Sequence, residues 1–190
     1  CLKYGLTTNN LLGVELVLID GSVVRLGGKH MDSEAYDLLG VITGSEGLLG
    51  VVTEVTVRII RKPDSARALL LGFSSVQAAG ACVAEVIREG IIPGAMEMMD
   101  APAMRAAEDY AHAGYPLDAE ALLIVEGDGP EVEGEHLIAR VEAIARASGA
   151  GSVQASGSEE ERLRFWAGRK AAFPAVGRIS PDYLCMDGTI

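Results

Sequence analysis

The chain has 190 residues, enough for one large domain or two small ones. Its 27 acidic and 16 basic residues give a formal charge of −11 without a basic stripe, which argues against binding to nucleic acid. Hydrophobic residues make up 49% of the sequence. No uncharged run approaches the roughly 18 residues that a bilayer span needs, so we expect no membrane span.

The three cysteines, Cys1, Cys82 and Cys185, form no CxxC pair. An odd number of cysteines at these spacings favours reduced thiols over a disulfide framework, and predicts a cytoplasmic protein without a cysteine metal site. The sequence starts without a methionine, from which we expect it to be an internal fragment of a longer protein.

The first third of the sequence predicts a small sheet. Residues 13–19 favour a strand, and Asp20-Gly21 is typical of a hairpin turn before a second strand at 22–26. A helical turn is expected at 34–39. Alternating residues at 51–60 predict a long, half-buried strand.

The charged segment 61–65 should end that strand, because Pro63 cannot donate a hydrogen bond to a sheet. We therefore expect a partial domain at 1–62, a linker at 63–65 and a second domain at 66–175, followed by a tail at 176–190.

Strands and helices alternate in the second domain. Strands are predicted at 67–73, 94–99, 121–126 and 152–155, and helices at 74–89, after Asp100, at 130–148 and at 158–173. Ser74 or Ser75 is the expected N-cap of the first helix, and Asp100 that of the second. This order predicts an α+β sandwich of ferredoxin-like type, and 174–190 is expected to be coil.

A glycine-rich segment, Gly44-Ser45-Glu46-Gly47-Leu48-Leu49-Gly50, precedes the strand at 51–60. Glycines let a ligand approach the backbone N–H groups, but the spacing matches neither the Rossmann fingerprint nor the P-loop. A structural turn and a nucleotide cradle are therefore equally compatible with the segment. Glu46 could accept hydrogen bonds from the backbone or from a ligand.

Several segments resemble the FAD-linked oxidases of the vanillyl-alcohol oxidase type, in particular their 2-hydroxyacid branch. The similar segments are Lys3-Tyr4-Gly5 with Thr7, residues 13–29, Tyr36-Asp37-Leu38, residues 44–59, residues 165–170, residues 180–183 and residues 186–189. The resemblance implies that 1–62 is the C-terminal half of an FAD-binding domain and that 66–175 is a cap domain.

The resemblance also implies a function. The intact protein would oxidise a small 2-hydroxy acid, glycolate or D-lactate, by hydride transfer to flavin N5, and would pass electrons to partner subunits or another acceptor. The family's pyrophosphate-binding loop should precede Cys1, and the histidines and glutamate that bind a metal in some members should follow Ile190. The fragment alone should therefore be inactive and hold FAD weakly or not at all.

Site residues follow from the matching motifs. The resemblance implies FAD contacts by three segments: the residues that follow the family's flavin-binding loop, the glycine-rich segment, and the start of the strand after it. The residues are Tyr4, Gly5, Gly44, Ser45, Glu46, Gly47, Gly50, Val51 and Val52. Arg169 matches an arginine that binds the substrate carboxylate, a task that suits a planar guanidinium. No catalytic base is assigned.

Two departures from the family favour a small substrate. Phe173 and Met186 stand where the 2-hydroxyglutarate branch has a threonine and a lysine that bind the carboxylate. Asp187 is either a site residue or, more simply, a turn former before Gly188.

The other candidate residues favour structural roles. The histidines lack metal-ligand spacing and are expected to be ordinary surface or loop histidines. The methionines near Glu97 favour core filling, Arg162 and Arg164 favour solvated helix charges, and Trp166 favours an anchor for the last helix. These histidines and methionines are His30, His112, His136, Met96, Met98 and Met99. Two alternative functions stay open: a non-enzymatic docking or ligand-binding module, and a flavoenzyme of the same fold with another substrate.

Overall fold

The structure is a computed structural model that describes residues 2–30 and 36–186. The chain forms two compact units, residues 3–62 and residues 63–190, which we call unit 1 and unit 2. In the described part of the chain, no helix is long and apolar enough to cross a membrane.

Unit 1 is built on a three-stranded antiparallel sheet. Its elements are α1 (Thr7–Asn10), β1 (Leu11–Val17), β2 (Val23–Gly27), α2 (Leu38–Ile42) and β3 (Val51–Val57). The strand order is β2-β1-β3, so β1 is central. The predicted hairpin is confirmed, because Asp20 accepts hydrogen bonds from Ser22 and Gly21 adopts φ +82°.

The predicted helical turn at 34–39 is displaced along the chain. Helix α2 begins at Leu38, and Asp37 caps it by accepting from the Gly40 N–H. Residues 34 and 35 lie outside the described part of the chain.

Strand β3 differs from its prediction, because every residue from Val51 to Val57 is exposed. The alternating pattern was expected to bury one face. Val14 and Leu16 of the central strand are buried, whereas no described element covers either face of β3. The interpretation of 51–60 as a half-buried strand is therefore wrong for this chain.

Unit 2 contains a four-stranded antiparallel sheet. Its elements are β4 (Ser65–Phe73), α3 (Val76–Arg88), β5 (Ala95–Asp100), α4 (Ala101–Ala111), β6 (Ala121–Gly129), α5 (Glu131–Ala147), β7 (Ala150–Ala155), α6 (Glu159–Lys170) and α7 (Ala172–Ile179). The strand order β5-β6-β4-β7 is that of a ferredoxin-like fold, with α4 inserted between its second and third strands. The predicted α+β class is confirmed.

The sheet of unit 2 is buried on both faces, because alternate residues of β4 and β6 point to opposite sides. Leu69 and Val125 pack with Cys82 of α3 and Val141 of α5 on one face. The other face packs against α4, α6 and the segment around Tyr115. The two central strands therefore contribute to two apolar cores.

Helix starts in unit 2 follow the predicted capping residues. Ser75 accepts from the Ala78 N–H, and Asp100 accepts from the Ala103 N–H. Pro102 lies in the first turn of α4, where a helix does not need its N–H.

The C-terminal region corrects two predictions. The helix expected at 158–173 ends at Lys170, and the region expected to be coil contains α7. Pro174 is tolerated because it is the third residue of α7, where the N–H has no partner within the helix. Arg178 also stacks on the ring of Tyr110, 4.2 Å from its centroid, and so links α7 to α4.

Candidate functional site

The glycine-rich segment forms a tight turn between α2 and β3. The Leu48 N–H donates to the Ser45 carbonyl over 2.9 Å, which closes a four-residue turn. Its two central residues have positive φ angles, +50° at Glu46 and +81° at Gly47, as in a type I′ turn. This conformation is unusual for a glutamate and strains the backbone locally.

The surroundings of the turn distinguish its glycines. A Cβ on Gly44 or Gly47 would meet no atom within 4 Å, so both open onto free space. A Cβ on Gly50 would lie 2.9 Å from the Leu16 side chain and from the Val17 carbonyl oxygen. Gly50 is therefore needed for close packing on β1, whereas Gly44 and Gly47 leave an accessible backbone surface.

Glu46 has no partner among the residues that the structure describes. Within residues 2–30 and 36–186, its carboxylate accepts no hydrogen bond, and the N–H groups of Glu46 and Gly47 donate none. The side chain does not brace the turn through the backbone, which is one of the two roles that the sequence allows for it. The turn thus offers two free donors and a free acceptor side by side.

The other FAD-contact residues expected from the sequence lie at both ends of β1. Val51 and Val52 pair with Val17 and Leu16 at one end. Tyr4 lies at the opposite end, because the Asn10 side-chain amide donates to its carbonyl over 2.9 Å. Gly5, with φ +79°, is exposed beside it. About 20 Å of strand separates the two groups, from a rise of about 3.3 Å per residue.

A cavity in unit 1 was not predicted from the sequence. It has a volume of about 810 Å³ and is lined by α1, the start of β1, α2 with its two capping residues, and the segments after β2 and β3. Its lining includes Thr8, Asn9, His30, Thr43 and Arg58. His30 was interpreted as an ordinary loop histidine, and no signal in the sequence connects these scattered residues.

One face of α6 supplies the polar contacts of unit 2. Arg162, Phe165, Trp166 and Arg169 recur at helical spacing, and all four make contacts with groups packed under α6. Arg164 lies off this face, with its side chain 50% exposed. This periodicity is the signal by which the inward-facing arginines could have been found.

Arg162 corrects a prediction, because its side chain is only 15% exposed. It donates to Glu126 of β6 over 2.7 Å and makes two further bonds to Glu159. The bonds to Glu159 raise the pKa of Arg162 above its usual value. Trp166 also donates to Glu126, over 2.5 Å, which confirms that Trp166 anchors the last long helix on the sheet.

Arg169, the predicted carboxylate-binding residue, lies next to Glu97 of β5. Its Nε and Nη2 atoms donate to a single oxygen of Glu97, Oε2, over 3.3 and 3.1 Å. The side chain of Arg169 is 31% exposed. No described residue accepts a hydrogen bond from its Nη1 atom, so that edge of the guanidinium is open.

Tyr115, which the sequence did not single out, fixes the backbone of α6 at Phe165, one turn before Arg169. Its hydroxyl donates to the Phe165 carbonyl over 2.6 Å. The ring fits against Gly168, where a Cβ would lie 2.3 Å from the hydroxyl oxygen. Burial raises the pKa of the Tyr115 hydroxyl well above its usual value.

The remaining candidate residues have mixed outcomes. His112 and His136 are exposed, and no group of metal-ligating side chains occurs within the described residues. Met99 is buried as expected, Met96 is partly buried against the core, and Met98 is 43% exposed, so core filling is wrong for Met98. The alternative roles of Asp187 lie outside the described residues.

The family described as "FAD linked oxidases, C-terminal domain" matches residues 62–190. Among curated proteins, the chain is 57% identical over all 190 residues to "Glycolate oxidase subunit GlcD" of Escherichia coli K12, and covers 38% of that protein. It is 38% identical over 190 residues to the Bacillus subtilis protein of the same name, and covers 40% of it. It is 30% identical over 178 residues to "D-lactate dehydrogenase [cytochrome] 1, mitochondrial" of Saccharomyces cerevisiae, which corresponds to 92% of the chain and 30% of that protein.

Solved structures share the fold at low sequence identity. An alkyldihydroxyacetonephosphate synthase superposes with a TM-score of 0.65 and 17% identity, over 93% of this chain and 34% of that one. A p-cresol methylhydroxylase superposes with a TM-score of 0.61 and 15% identity, over 84% and 37% of the two chains.

These likenesses confirm the expected α+β fold of the vanillyl-alcohol oxidase type, with the family's C-terminal domain at residues 62–190. The chain spans about two fifths of the length of its curated bacterial relatives. Since the family match covers most of its residues, the chain belongs to the FAD-linked oxidases.

Proposed function

We propose that the chain is part of an FAD-dependent enzyme that oxidises a small 2-hydroxy acid, glycolate or D-lactate. The observation that carries this proposal is the 57% identity, over every residue of the chain, to a protein named glycolate oxidase subunit GlcD. The more distant likeness to a D-lactate dehydrogenase extends the same substrate class.

The glycine-rich turn fits a bound dinucleotide. Gly44 and Gly47 leave open space where side chains would stand, and two free N–H groups beside them suit an anionic or polar ligand. Glu46 has the acceptor oxygens that ribose hydroxyls or an adenine amino group would need. We assign FAD binding to Gly44, Ser45, Glu46, Gly47 and Gly50.

Residues beside both ends of β1 would contact the same long ligand. Val51 and Val52 follow the turn directly, whereas Tyr4 and Gly5 lie at the far end of the strand. When bound, FAD supplies an acceptor for the hydride from the substrate's α-carbon. The chain's own part in the reaction is to hold the cofactor and to orient the acid.

Arg169 would bind the substrate carboxylate. Its open Nη1 edge can donate two parallel hydrogen bonds to one carboxylate, which fixes both the distance and the plane of the acid. The base for the hydroxyl proton is not assigned to any residue of this chain.

Other parts of the intact protein would complete the enzyme. The relatives are named as subunits, so we infer that partner subunits or another acceptor take the electrons. We also predict that residues 1–190 alone hold FAD weakly and show no activity, because they span 38% of the bacterial relative. The cytoplasmic location remains a prediction from cysteine use.

The cofactor assignment can be tested by substituting Gly47 with valine in the intact protein. The matched control is Gly149→Val, because Gly149 has a similar φ of +87° and also faces open space, but follows α5 in unit 2. We expect the purified Gly47→Val protein to lose most of its flavin absorbance and the Gly149→Val protein to keep it. Equal flavin content in both proteins would contradict FAD binding by the glycine-rich turn.

The substrate assignment can be tested with Arg169→Lys in the same protein. Lysine keeps the charge but cannot form the planar pair of hydrogen bonds. We expect KM for glycolate or D-lactate to rise about tenfold or more in a dye-reduction assay, as for loss of a charge-assisted hydrogen bond of about 1.5–3 kcal/mol. An unchanged KM would remove Arg169 from the site.

A further inference from the structure

The contact between Arg169 and Glu97 uses one edge of the guanidinium and leaves the other open. Both donors to Glu97, Nε and Nη2, lie on the side edge of the group, and both reach the same carboxylate oxygen. The end edge carries one N–H of Nη1 and one of Nη2 in parallel. That edge can therefore donate to one further carboxylate.

Both partners of this pair are held by the fold of unit 2. Glu97 lies on β5 opposite Ile124 of the central strand β6, which is fully buried. On the side of α6, the Tyr115 hydroxyl donates to the Phe165 carbonyl, one turn before Arg169, and Gly168 allows the ring to pack closely. The direction of the open edge is therefore set by β5 and α6 together.

The pair also sets the local charge. Glu97 cancels the positive charge of Arg169, so binding of one carboxylate depends on the two directed hydrogen bonds of the open edge. The other inward-facing cation of α6, Arg162, is already engaged by Glu126 and Glu159. A second carboxylate on the same substrate would meet Glu97 without a free arginine of this face to neutralise it.

We propose that Glu97 determines substrate specificity, by orienting Arg169 for a single carboxylate and repelling 2-hydroxy acids that carry a second one. This inference rests on the proposed role of Arg169 in binding the acid. It assigns to Glu97 a function that is distinct from stabilising the fold: the site accepts 2-hydroxy monocarboxylates and excludes 2-hydroxy dicarboxylates.

The test compares D-lactate and D-malate as substrates of the intact enzyme. The two acids share the α-carbon and its hydroxyl, and differ by one carboxylate on the β-carbon. Glu97→Gln keeps an acceptor for Arg169 but removes the negative charge. We expect the ratio of kcat/KM for D-malate to kcat/KM for D-lactate to rise about tenfold in this variant, mainly through KM for D-malate.

Glu126→Gln is the matched control. Glu126 also lies on the sheet beneath α6 and also pairs with an arginine of that helix, but it does not contact Arg169. A general loosening of α6 would affect both acids alike, so the control should leave the ratio within about twofold of wild type, which is about 0.4 kcal/mol.

Arg169→Lys separates the two proposals. If Arg169→Lys raises KM for D-lactate and Glu97→Gln leaves the substrate ratio unchanged, the role of Glu97 is overturned and the substrate class stands. If Arg169→Lys leaves KM unchanged, the role of Arg169 and the role of Glu97 that rests on it are both overturned, whereas the substrate class stands. An equal rise of the ratio in Glu97→Gln and Glu126→Gln would also overturn the specific role of Glu97.

Discussion

The two sheets of this chain differ in how they are covered. The central strands of unit 2, β4 and β6, are buried on both faces between helices, and almost every apolar residue in them is inaccessible. In unit 1 the central strand β1 is partly buried, and β3 is exposed along its whole length. Both sheets are antiparallel and comparably apolar, so strand pairing alone does not create a core.

The difference indicates what unit 1 requires from the rest of the protein. An apolar strand exposed on both faces is unfavourable in water and a liability for aggregation. The chain spans 38% of the Escherichia coli relative, and we expect parts of the intact protein beyond this chain to cover β3. Unit 2 already contains the helices that cover both faces of its sheet.

The largest expected difference between the two sheets is in the backbone hydrogen exchange of residues 1–190. We expect amides of β6 to exchange at least about a thousandfold more slowly than those of β3, because β6 opens only with the core of unit 2. Mass spectrometry of peptides from the two strands measures the difference.

The intact protein is the control for this experiment. There, β3 should gain protection while β6 changes little. Equal protection of the two strands in residues 1–190 would show that unit 1 is as stable as unit 2.

Matched truncations of isoleucine give the next largest effect. Ile124 of β6 is fully buried, whereas Ile59, just after β3, is 86% exposed. Ile124→Ala should lower the free energy of unfolding of unit 2 by about 2–5 kcal/mol, from lost burial and a cavity. Ile59→Ala should change the free energy of unfolding by no more than about 0.5 kcal/mol in residues 1–190.

Urea unfolding followed by circular dichroism measures both changes. A cost above about 1 kcal/mol for Ile59→Ala would mean that β3 is covered in solution. A cost below about 1 kcal/mol for Ile124→Ala would contradict the two-sided core of unit 2.

The sequence predicted unit 2 well because its signals are local. Ser75 and Asp100 cap helices as expected, and the alternating elements give the ferredoxin-like strand order. The Asp20-Gly21 hairpin of unit 1 was predictable for the same reason. Each of these features depends on residues that are close together in the chain.

The features that could not be predicted from the sequence depend on contacts between residues that are far apart in the chain. The alternation of β3 predicts a buried face, but it cannot state which element covers that face or whether this chain contains it. Arg169 was found by resemblance, whereas its partner Glu97 lies 72 residues away on another strand. Tyr115 had no motif at all, since its role depends on the space above Gly168.

Glycine substitutions should show a smaller difference between the two units. A Cβ at Gly168 would clash with Tyr115, whereas one at Gly47 would face open space. Gly168→Ala should destabilise unit 2 by about 1–3 kcal/mol through overpacking. Gly47→Ala should cost unit 1 about 1–2 kcal/mol from its positive φ alone, without a change in packing.

A second variant identifies the cause of the Gly168→Ala effect. Tyr115→Phe removes the hydroxyl that lies nearest to the added methyl group, so the cost of Gly168→Ala should fall in the Tyr115→Phe background. Additive effects of the two substitutions on the urea midpoint would contradict the clash.

The smallest expected effect is a loss of stability of unit 2 at alkaline pH. Burial holds the pKa of Tyr115 above its usual value near 10, so the unfolded chain loses this proton at lower pH than the folded chain does. The contribution of Tyr115 to stability is therefore complete below about pH 10 and declines as the pH rises further. At pH 10.5 the loss of unfolding free energy from Tyr115 should be roughly 1 kcal/mol relative to pH 8.

Tyr115→Phe should remove this part of the pH dependence. Burial also raises the pKa of the Cys82 thiol, which adds a decline in stability that both proteins share. Urea midpoints of the two proteins at pH 8 and pH 10.5 measure the difference, and parallel changes would show that Tyr115 is accessible to solvent in folded unit 2.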